Sequence, residues 1–281
     1  MQCFRLFFYV YCLSHALCKA FLQSPSNVAS KPFFSTTSDT AQTKTAKEEE
    51  NPRLTGLALM LDDGTRKSHS VAQNSAFVTG FFKGLANRNS YRSLITSLYF
   101  VYTAMEEAMD KTSEETVRAL DDPELRRLLA LERDMEYFYG ESWKNEIQPS
   151  SATKSYVTRV KDVAKTKPYL LVAHQYTRYL GDLFGGQMMG GMASRSLNLE
   201  NGDGTAFYEF DDISNTYDYI TDWYKRLNTL DLTDEQKEEI VDEANFVFDL
   251  NIGILQELDG SPIKAIVTLA INSLKMKLGF A

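Results

Sequence analysis

A helical period in the apolar residues is the feature that most limits what this chain can fold into. From about Leu54 onward, apolar side chains recur at spacings of three and four, and the clearest stretch extends from Tyr91 to Met109. This spacing places them along one face of a helix. Strand patterns are rare, and the aromatic run Ala206–Phe210 is isolated and interpreted as a connector. The sequence therefore predicts a single all-α domain over residues 51–281, a bundle of roughly eight helices.

Prolines, glycines and capping residues mark where several helices begin and end. Gly140 follows one helical pattern, and Thr233 with Gln236 has the spacing of a capping box. Glu106 and Glu107 are expected on the polar side of the helix that begins near Tyr91. The predicted helices are Pro123 to Tyr139, a long helix that begins at Pro168, Thr233 to Leu258, and Ile263 to Leu278.

The long helix that begins at Pro168 contains a glycine-rich run. Its glycines are Gly181, Gly185 and Gly186, and its polar residues include Tyr176, Arg178, Tyr179 and Asp182. Each glycine costs about 1 kcal/mol relative to alanine in a helix interior. A helix that accepts this cost commonly has its backbone close to something flat or bulky. The run therefore predicts a ligand lying against the helix backbone, with a polar network behind it.

Composition and cysteine positions exclude several classes of function. The chain has 281 residues and a net charge of −8, which gives no electrostatic case for nucleic acid binding. All of its cysteines lie within the first 18 residues. Once that segment is removed, the chain has no disulfide and no thiolate nucleophile, and His69 and His174 are its only imidazoles.

The N-terminus has the composition of a targeting segment. Residues 1–20 combine an early Arg5 with an apolar stretch and small residues, as in a signal peptide. Residues 21–50 are rich in Ser and Thr, and they are interpreted as a disordered, transit-like segment. The combination resembles the two-part presequence of algal plastid proteins and predicts the plastid stroma, with the secretory pathway as the alternative. We expect no membrane anchor in the mature chain.

The remaining imidazoles fit few kinds of site. A di-iron carboxylate bundle would need Glu three residues before each His, but Arg66 and Leu171 stand there. A zinc hydrolase needs at least three protein ligands, and no nucleophile elbow supports a Ser-His-Asp site. A haem needs one axial ligand and an open position for O2, which one imidazole and a glycine-broken helix can provide. Asp182 would then fix a water near that open position.

Four segments resemble the haem oxygenase family, and together they span about residues 54–258. The segments are LVAHQYTRYLGDLFGGQ at 171–187, which resembles the distal-helix signature, Gly64–Asn74, which resembles the proximal-histidine helix, Ser97–Glu107 and Glu243–Asn251. The resemblance implies an all-α fold with haem between a proximal and a distal helix. It implies oxidation of haem by O2 and electrons from an external reductant to biliverdin, CO and iron, with haem as both substrate and cofactor. Its product would feed bilin synthesis, and ferredoxin is the expected electron donor.

The resemblance also assigns roles to individual residues. His69 is the implied proximal iron ligand, and Asp182 is implied to hold the distal water. The implied network around that water consists of Tyr102, Arg178, Tyr179 and Asn251. The implied haem contacts are Gly181 and Gly185 by close backbone approach, Gly186 in support of a kink, Tyr176 and Phe248 as pocket lining, and Gln73, four residues after His69 where the family commonly has Glu. His174 is interpreted as structural.

Two departures concern cations that the family uses. Asp62 stands where a propionate-binding base is common, and the stretch from Tyr217 to Tyr224 contains Asp218 and Asp222 but no Lys or Arg. The substitutes that the sequence offers are Lys67, Lys225 and Arg226. Gly190 and Gly191 stand where related sequences often carry lysines that help an acidic ferredoxin to dock. A replacement basic patch could come from Lys83, Arg88 and Arg92.

Two other functions remain open from sequence alone. The missing propionate cations suggest a haem-binding paralogue with weak or no turnover. A thiaminase-type hydrolase on a similar helical scaffold would need a cysteine nucleophile, which residues 51–281 do not contain.

Overall fold

The computed structural model describes residues 51–82, 87–200 and 202–258. The chain divides into two units, Met1–Glu48 and Glu49–Ala281, and all the described residues belong to the second. These residues form α-helices, short 3-10 turns and one π-helical segment, with no strand. The helices are α1 (Gly56–Gln73), α2 (Ala76–Phe82), α3 (Arg88–Lys111), α4 (Glu115–Arg118), α5 (Leu128–Tyr139), α6 (Ser151–Thr166), α7 (Leu171–Gln175), α8 (Gly181–Leu197), α9 (Thr216–Asn228) and α10 (Asp234–Leu258). The predicted all-α class is confirmed.

Helices α3 and α10 form the centre of the bundle. Helix α3 packs against α5 and α6, and α10 packs against α1, α6 and α7. The apolar stripe predicted between Tyr91 and Met109 lies within α3, and its side chains are buried. Tyr91 and Tyr102 are among the largest side chains with no exposed surface. The helical period thus supplies the core, and α3 brings polar groups such as Tyr102 into it.

The prediction of one helix from Pro123 to Tyr139 is wrong. Pro123–Leu125 is a 3-10 turn, Arg126 has an extended ψ of 133°, and α5 begins only at Leu128. The carboxylate of Glu106 caps the new helix, because one of its oxygens accepts from the backbone N–H groups of Arg127 (2.7 Å) and Leu128 (3.0 Å). The expectation that Glu106 lies on a polar surface is therefore also wrong, since the residue is buried.

The long helix predicted from Pro168 is continuous, but it changes its winding twice. A 3-10 turn, Pro168–Leu170, leads into α7, and the π-helical segment Tyr176–Leu180 then joins α7 to α8. A π segment is a local insertion that often marks a functional site. We call α7, this segment and α8 together the distal helix.

Two further predictions on local structure are confirmed. Thr233 and Gln236 cap α10 reciprocally: each backbone N–H donates to the other side chain, at 2.9 Å and 3.2 Å. The run from Ala206 is a connector that contains the 3-10 turn Ala206–Tyr208.

Some predictions fall outside the described residues. They are the segments 1–20 and 21–50 and the helix Ile263 to Leu278. Among the described helices, none combines the length and the apolar character needed to cross a bilayer.

Candidate functional site

His69 lies on α1 with its ring exposed, beside an aromatic side chain from α10. The ring of Phe248 meets it edge-on, with 5.8 Å between centroids and an angle of 82° between planes. Desolvation by neighbouring protein atoms lowers the pKa of His69, while the charge of Asp62 raises it and that of Arg53 lowers it further. A lowered pKa favours the neutral imidazole at neutral pH, the form that binds a metal ion.

Helix α1 and the distal helix approach each other near His69. Burial raises the pKa of Tyr176 in the π segment, and a polar contact with Thr65 of α1, one helical turn before His69, lowers it. Helix α2, which follows α1, packs against α8. His69 thus lies in the chain between two points, Thr65 and α2, that approach the distal helix.

The glycines of the distal helix divide into two kinds. A Cβ atom added at Gly181 or Gly185 would have nothing within 4 Å, so these backbone positions border open space. A Cβ added at Gly186 would lie 2.9 Å from Cδ1 of Tyr208. Packing therefore explains Gly186, and its expected place among the haem-binding residues is not supported by these contacts. Gly181 and Gly185 have no such packing reason, and they form the cradle that a flat ligand would need.

Behind the cradle, Asp182 joins side chains from three parts of the bundle. The Tyr102 hydroxyl donates to Asp182 Oδ2 from α3. The Arg178 guanidinium donates to both carboxylate oxygens of Asp182, at 3.2 Å and 3.1 Å, and to Oδ1 of Asn251 on α10 at 2.8 Å. Asn251 is oriented by its own hydrogen bond to the carbonyl of Val247 at 2.8 Å. The pair Arg178–Asp182 is thus more than a helical salt bridge.

Burial controls the acidity of this network. Desolvation raises the pKa of Asp182, while the charge of Arg178 and the hydroxyl of Tyr102 lower it. Desolvation also raises the pKa of Tyr102 well above its ordinary value, and the charge of Asp182 raises it further. Tyr102 therefore stays protonated as a donor, and Asp182 is a carboxylate that takes up a proton more readily than an exposed aspartate. This arrangement suits a group that orients a water and passes a proton.

The structure places Tyr179 beside the network and Gln73 on the surface. The Tyr179 hydroxyl points to the buried Glu106 at a weak 3.5 Å, and only its ring, 5.3 Å from that of Tyr102, packs against the network. Gln73, expected among the haem contacts, has an exposed side chain. Sequence reasoning missed Glu106 because a Glu on an amphipathic helix normally lies in solvent.

Near His69, the structure places the guanidinium of Arg53 against Asp62, a pairing that the sequence did not suggest. The guanidinium of Arg53 donates from Nε to Asp62 Oδ1 at 3.1 Å, and its Nη2 lies 2.5 Å from the same oxygen. Arg53 therefore compensates the negative charge at the position where the family has a base. Arg226, one of the expected substitutes, instead donates to Asp122, at 2.8 Å for one of its two contacts.

The two described candidates for a basic patch lie over aromatic rings of α5. The guanidinium carbon of Arg88 is 5.4 Å from the ring centroid of Tyr137, and that of Arg92 is 4.6 Å from the centroid of Tyr139. Lys83 lies outside the described residues. The structure therefore brings Arg88 and Arg92 to one part of the surface.

His174 is buried away from the cradle, as its interpretation as a structural residue requires. Its Nε2 lies 3.1 Å from Oε1 of Glu243, whose carboxylate also accepts from the guanidinium of Arg159. His174 has no exposed surface. A haem bound between α1 and the distal helix is thus left with His69 as its imidazole, and the lowered pKa of His69, the open glycine positions and the hydrogen-bonded Asp182 all fit that group.

Comparison with known proteins agrees with this geometry. The family model described as Heme oxygenase matches residues 55–257. The chain is 47% identical to Heme oxygenase 1 of Synechocystis sp. over 219 residues, and the match covers 78% of this chain and 91% of that protein. It is 44% identical to Heme oxygenase of Guillardia theta over 233 residues, and that match covers 80% of this chain and 98% of that protein.

Solved structures agree as well. The crystal structure of heme oxygenase-1 from Synechocystis in complex with heme has a TM-score of 0.71 to this chain, with 47% identity, and covers 78% of this chain and 100% of that one. The family match spans most of the chain, and the related proteins are covered over almost their whole length. The chain therefore belongs to the haem oxygenase family, an all-α family of enzymes that degrade haem.

Proposed function

We propose that this enzyme uses O2 and electrons from an external reductant to cleave haem to biliverdin, CO and ferrous iron. The observation that carries the proposal is the combination of an open glycine backbone at Gly181 and Gly185 with the half-buried Asp182 beside it. Haem is substrate and cofactor together, because its iron activates the oxygen that opens its own ring.

His69 is the residue that holds the iron in this proposal. Its lowered pKa keeps the imidazole neutral and available as a ligand. Phe248 limits the rotation of the ring from one side, and Tyr176 lies near Thr65 of the same helix α1. Gly181 and Gly185 let the helix backbone approach the opposite face of the substrate, because no side chain stands between.

Asp182 holds and orients the water that supplies protons on that face. Tyr102 donates to one carboxylate oxygen and Arg178 to both, so the carboxylate is fixed in orientation. Oδ1 accepts only one of these bonds, so it can also accept from a water. Asn251 holds Arg178 from the far side, and Tyr179 supports Tyr102 by ring contact. Tyr102, Arg178, Tyr179 and Asn251 are therefore positioning residues for Asp182.

The surroundings of the reaction are part of the proposal. Similar proteins occur in Guillardia theta, Rhodella violacea and Synechocystis sp., and algal and cyanobacterial relatives are compatible with a plastid. Together with the transit-like composition of residues 21–50, this supports the plastid stroma over the secretory pathway. We propose that the product feeds bilin synthesis and that ferredoxin is the electron donor.

The second candidate is a haem-binding paralogue with weak turnover. The acidic residues at the rim motivated it, but the pairing of Asp62 with Arg53 removes part of that reason. The complete set of contacts around Asp182 favours turnover, because a protein that only stores haem has no need of a fixed proton donor.

One assay separates these candidates. Purified residues 51–281 are loaded with haem and supplied with ferredoxin, its reductase and O2, and absorbance is followed in the biliverdin region. We expect biliverdin to accumulate and CO to be released. A stable haem complex that does not react under these conditions would support the paralogue, and a protein that takes up no haem would overturn both.

A further inference from the structure

The connector between α8 and α9 is held firmly from three directions. The carboxylate of Asp134 accepts from the backbone N–H groups of Ala206 and Phe207, both at 2.8 Å. The Tyr91 hydroxyl donates to the carbonyl of Gly204 at 3.1 Å. The guanidinium of Arg127 donates to the carbonyl of Glu209. Because these bonds come from α3, α5 and the turn before α5, the connector has a fixed position relative to the core.

This anchoring drives one side chain into a notch in the distal helix. Tyr208 is 7% exposed, and its ring lies where side chains at Gly186 and Gly190 would otherwise stand. An added Cβ would be 2.9 Å from Tyr208 Cδ1 at Gly186 and 2.9 Å from Tyr208 Cβ at Gly190, while ordinary contacts begin at 3.4 Å. The two glycines are one helical turn apart, so the notch accepts a single flat ring.

The connector also reaches the network around Asp182. The ring of Phe207 is 5.4 Å from that of Tyr102, whose hydroxyl donates to Asp182. Desolvation and then the negative charge of Asp182 raise the pKa of Tyr208, so its hydroxyl stays protonated. Two neighbouring residues of the connector thus bear on the distal helix and on the tyrosine that orients Asp182.

We propose that Tyr208 is a positioning residue, which sets how far the distal-helix backbone stands from the haem and where the Asp182 carboxylate points. The proposal rests on the proposed function. Interiors are close-packed and transmit displacements, so a shift at the notch moves the whole turn from Gly181 to Gly186. The glycines of the distal helix then serve two purposes: Gly181 and Gly185 face the substrate, while Gly186 and Gly190 receive Tyr208.

Gly186→Ala is the first test, with Gly191→Ala as its matched control. A Cβ at Gly186 presses on the Tyr208 ring, whereas one at Gly191, on the same helix, has nothing within 4 Å. Two quantities are measured on the haem-loaded full-length protein. One is kcat, and the other is the pH midpoint of the absorbance change that the ferric complex shows when the pH is varied. We expect Gly186→Ala to shift that midpoint and to lower kcat by up to about 100-fold, the scale of a small misplacement of reacting groups. Gly191→Ala should match the wild type.

Substitutions at Tyr208 complete a double-mutant cycle. Tyr208→Phe keeps the ring in the notch and should retain the wild-type midpoint. Tyr208→Ala should shift it, and adding Gly186→Ala to Tyr208→Ala should have no further effect, because the atom that the new Cβ would meet is gone. Circular dichroism checks that each variant is folded. If Tyr208→Ala is not folded, Gly186→Ala and Tyr208→Phe still test the proposal.

The outcomes are distinct. A shifted midpoint in Gly186→Ala that disappears in the Tyr208→Ala background supports the proposal. A Gly186→Ala protein that matches Gly191→Ala, or effects that simply add, would overturn it while leaving the proposed function in place. A wild-type protein that takes up no haem would overturn the proposed function, and this proposal with it.

Discussion

Gly185→Ala should stabilise the protein without haem and weaken its binding of haem. A Cβ at this position has nothing within 4 Å, so it meets no packing penalty in the fold. Replacing glycine by alanine in a helix interior gains about 1 kcal/mol. In a domain of this size, that gain corresponds to a rise in Tm of about 2–4 °C. The same Cβ would occupy the cradle, and overpacking of this kind costs about 1–3 kcal/mol, or roughly 5- to 150-fold in affinity.

Two measurements on the same variant test this reasoning. Thermal denaturation without haem gives the change in Tm, and a haemin titration followed by absorbance gives the affinity. Gly191→Ala is the control, because it also meets open space but lies further along α8. It should gain similar stability and keep its affinity for haem. A Gly185→Ala protein that is less stable than the wild type, or that binds haem equally well, would refute the assignment of Gly185 to the substrate-facing backbone.

Three further predictions concern the acid–base and ligand groups. Asp182→Asn should still bind haem, but its turnover should fall by about 10²-fold or more because the proton-passing carboxylate is lost; unchanged biliverdin formation would contradict the role of Asp182. His69→Ala should lose the absorption signature of axial imidazole ligation, and a spectrum identical to that of the wild type would show that another residue holds the iron. Burial raises the pKa of Asp134 to about 6, from 3.8, although bonds from Phe207 and Ala206 oppose the shift. In this window the folded state binds the extra proton, so stability should fall as pH rises from about 4 to about 6, by up to about 3 kcal/mol. Denaturant unfolding should show this slope in the wild type and not in Asp134→Asn.

Asp62 shows how a tertiary contact changes the expected effect of a residue on haem binding. On its own, Asp62 is a negative charge where a bound haem presents propionates, and it argues against tight binding. In the structure Arg53 lies against it, with Nη2 2.5 Å from the carboxylate, and both are partly exposed. Arg53 and Asp62 are nine residues apart and belong to different elements, so their pairing depends on how the 3-10 turn before α1 folds back.

The sequence pattern predicted the buried polar groups of the site less well than its other parts. Glu106 looked like a surface residue of α3, yet it caps α5 and receives the Tyr179 hydroxyl. A capping interaction between residues about twenty positions apart leaves no periodic signal, because it depends on where two helices cross. The same holds for Tyr208, whose notch is formed by Gly190 and by Gly186, a glycine that the sequence pattern assigned to a ligand.

The sequence by itself determined the helical class, the long apolar stripe of α3 and the capping box of α10, and it singled out His69 and Asp182 as candidates for the ligand and acid–base roles. These features depend on local spacing or on scarce residue types, and such signals survive without knowledge of the fold. Only the tertiary structure decided which glycines face open space and which receive Tyr208, where Tyr179 points, and what compensates Asp62. The physical reason is that burial, desolvation and close contact arise between elements distant in the chain, and they exist only once those elements have packed together.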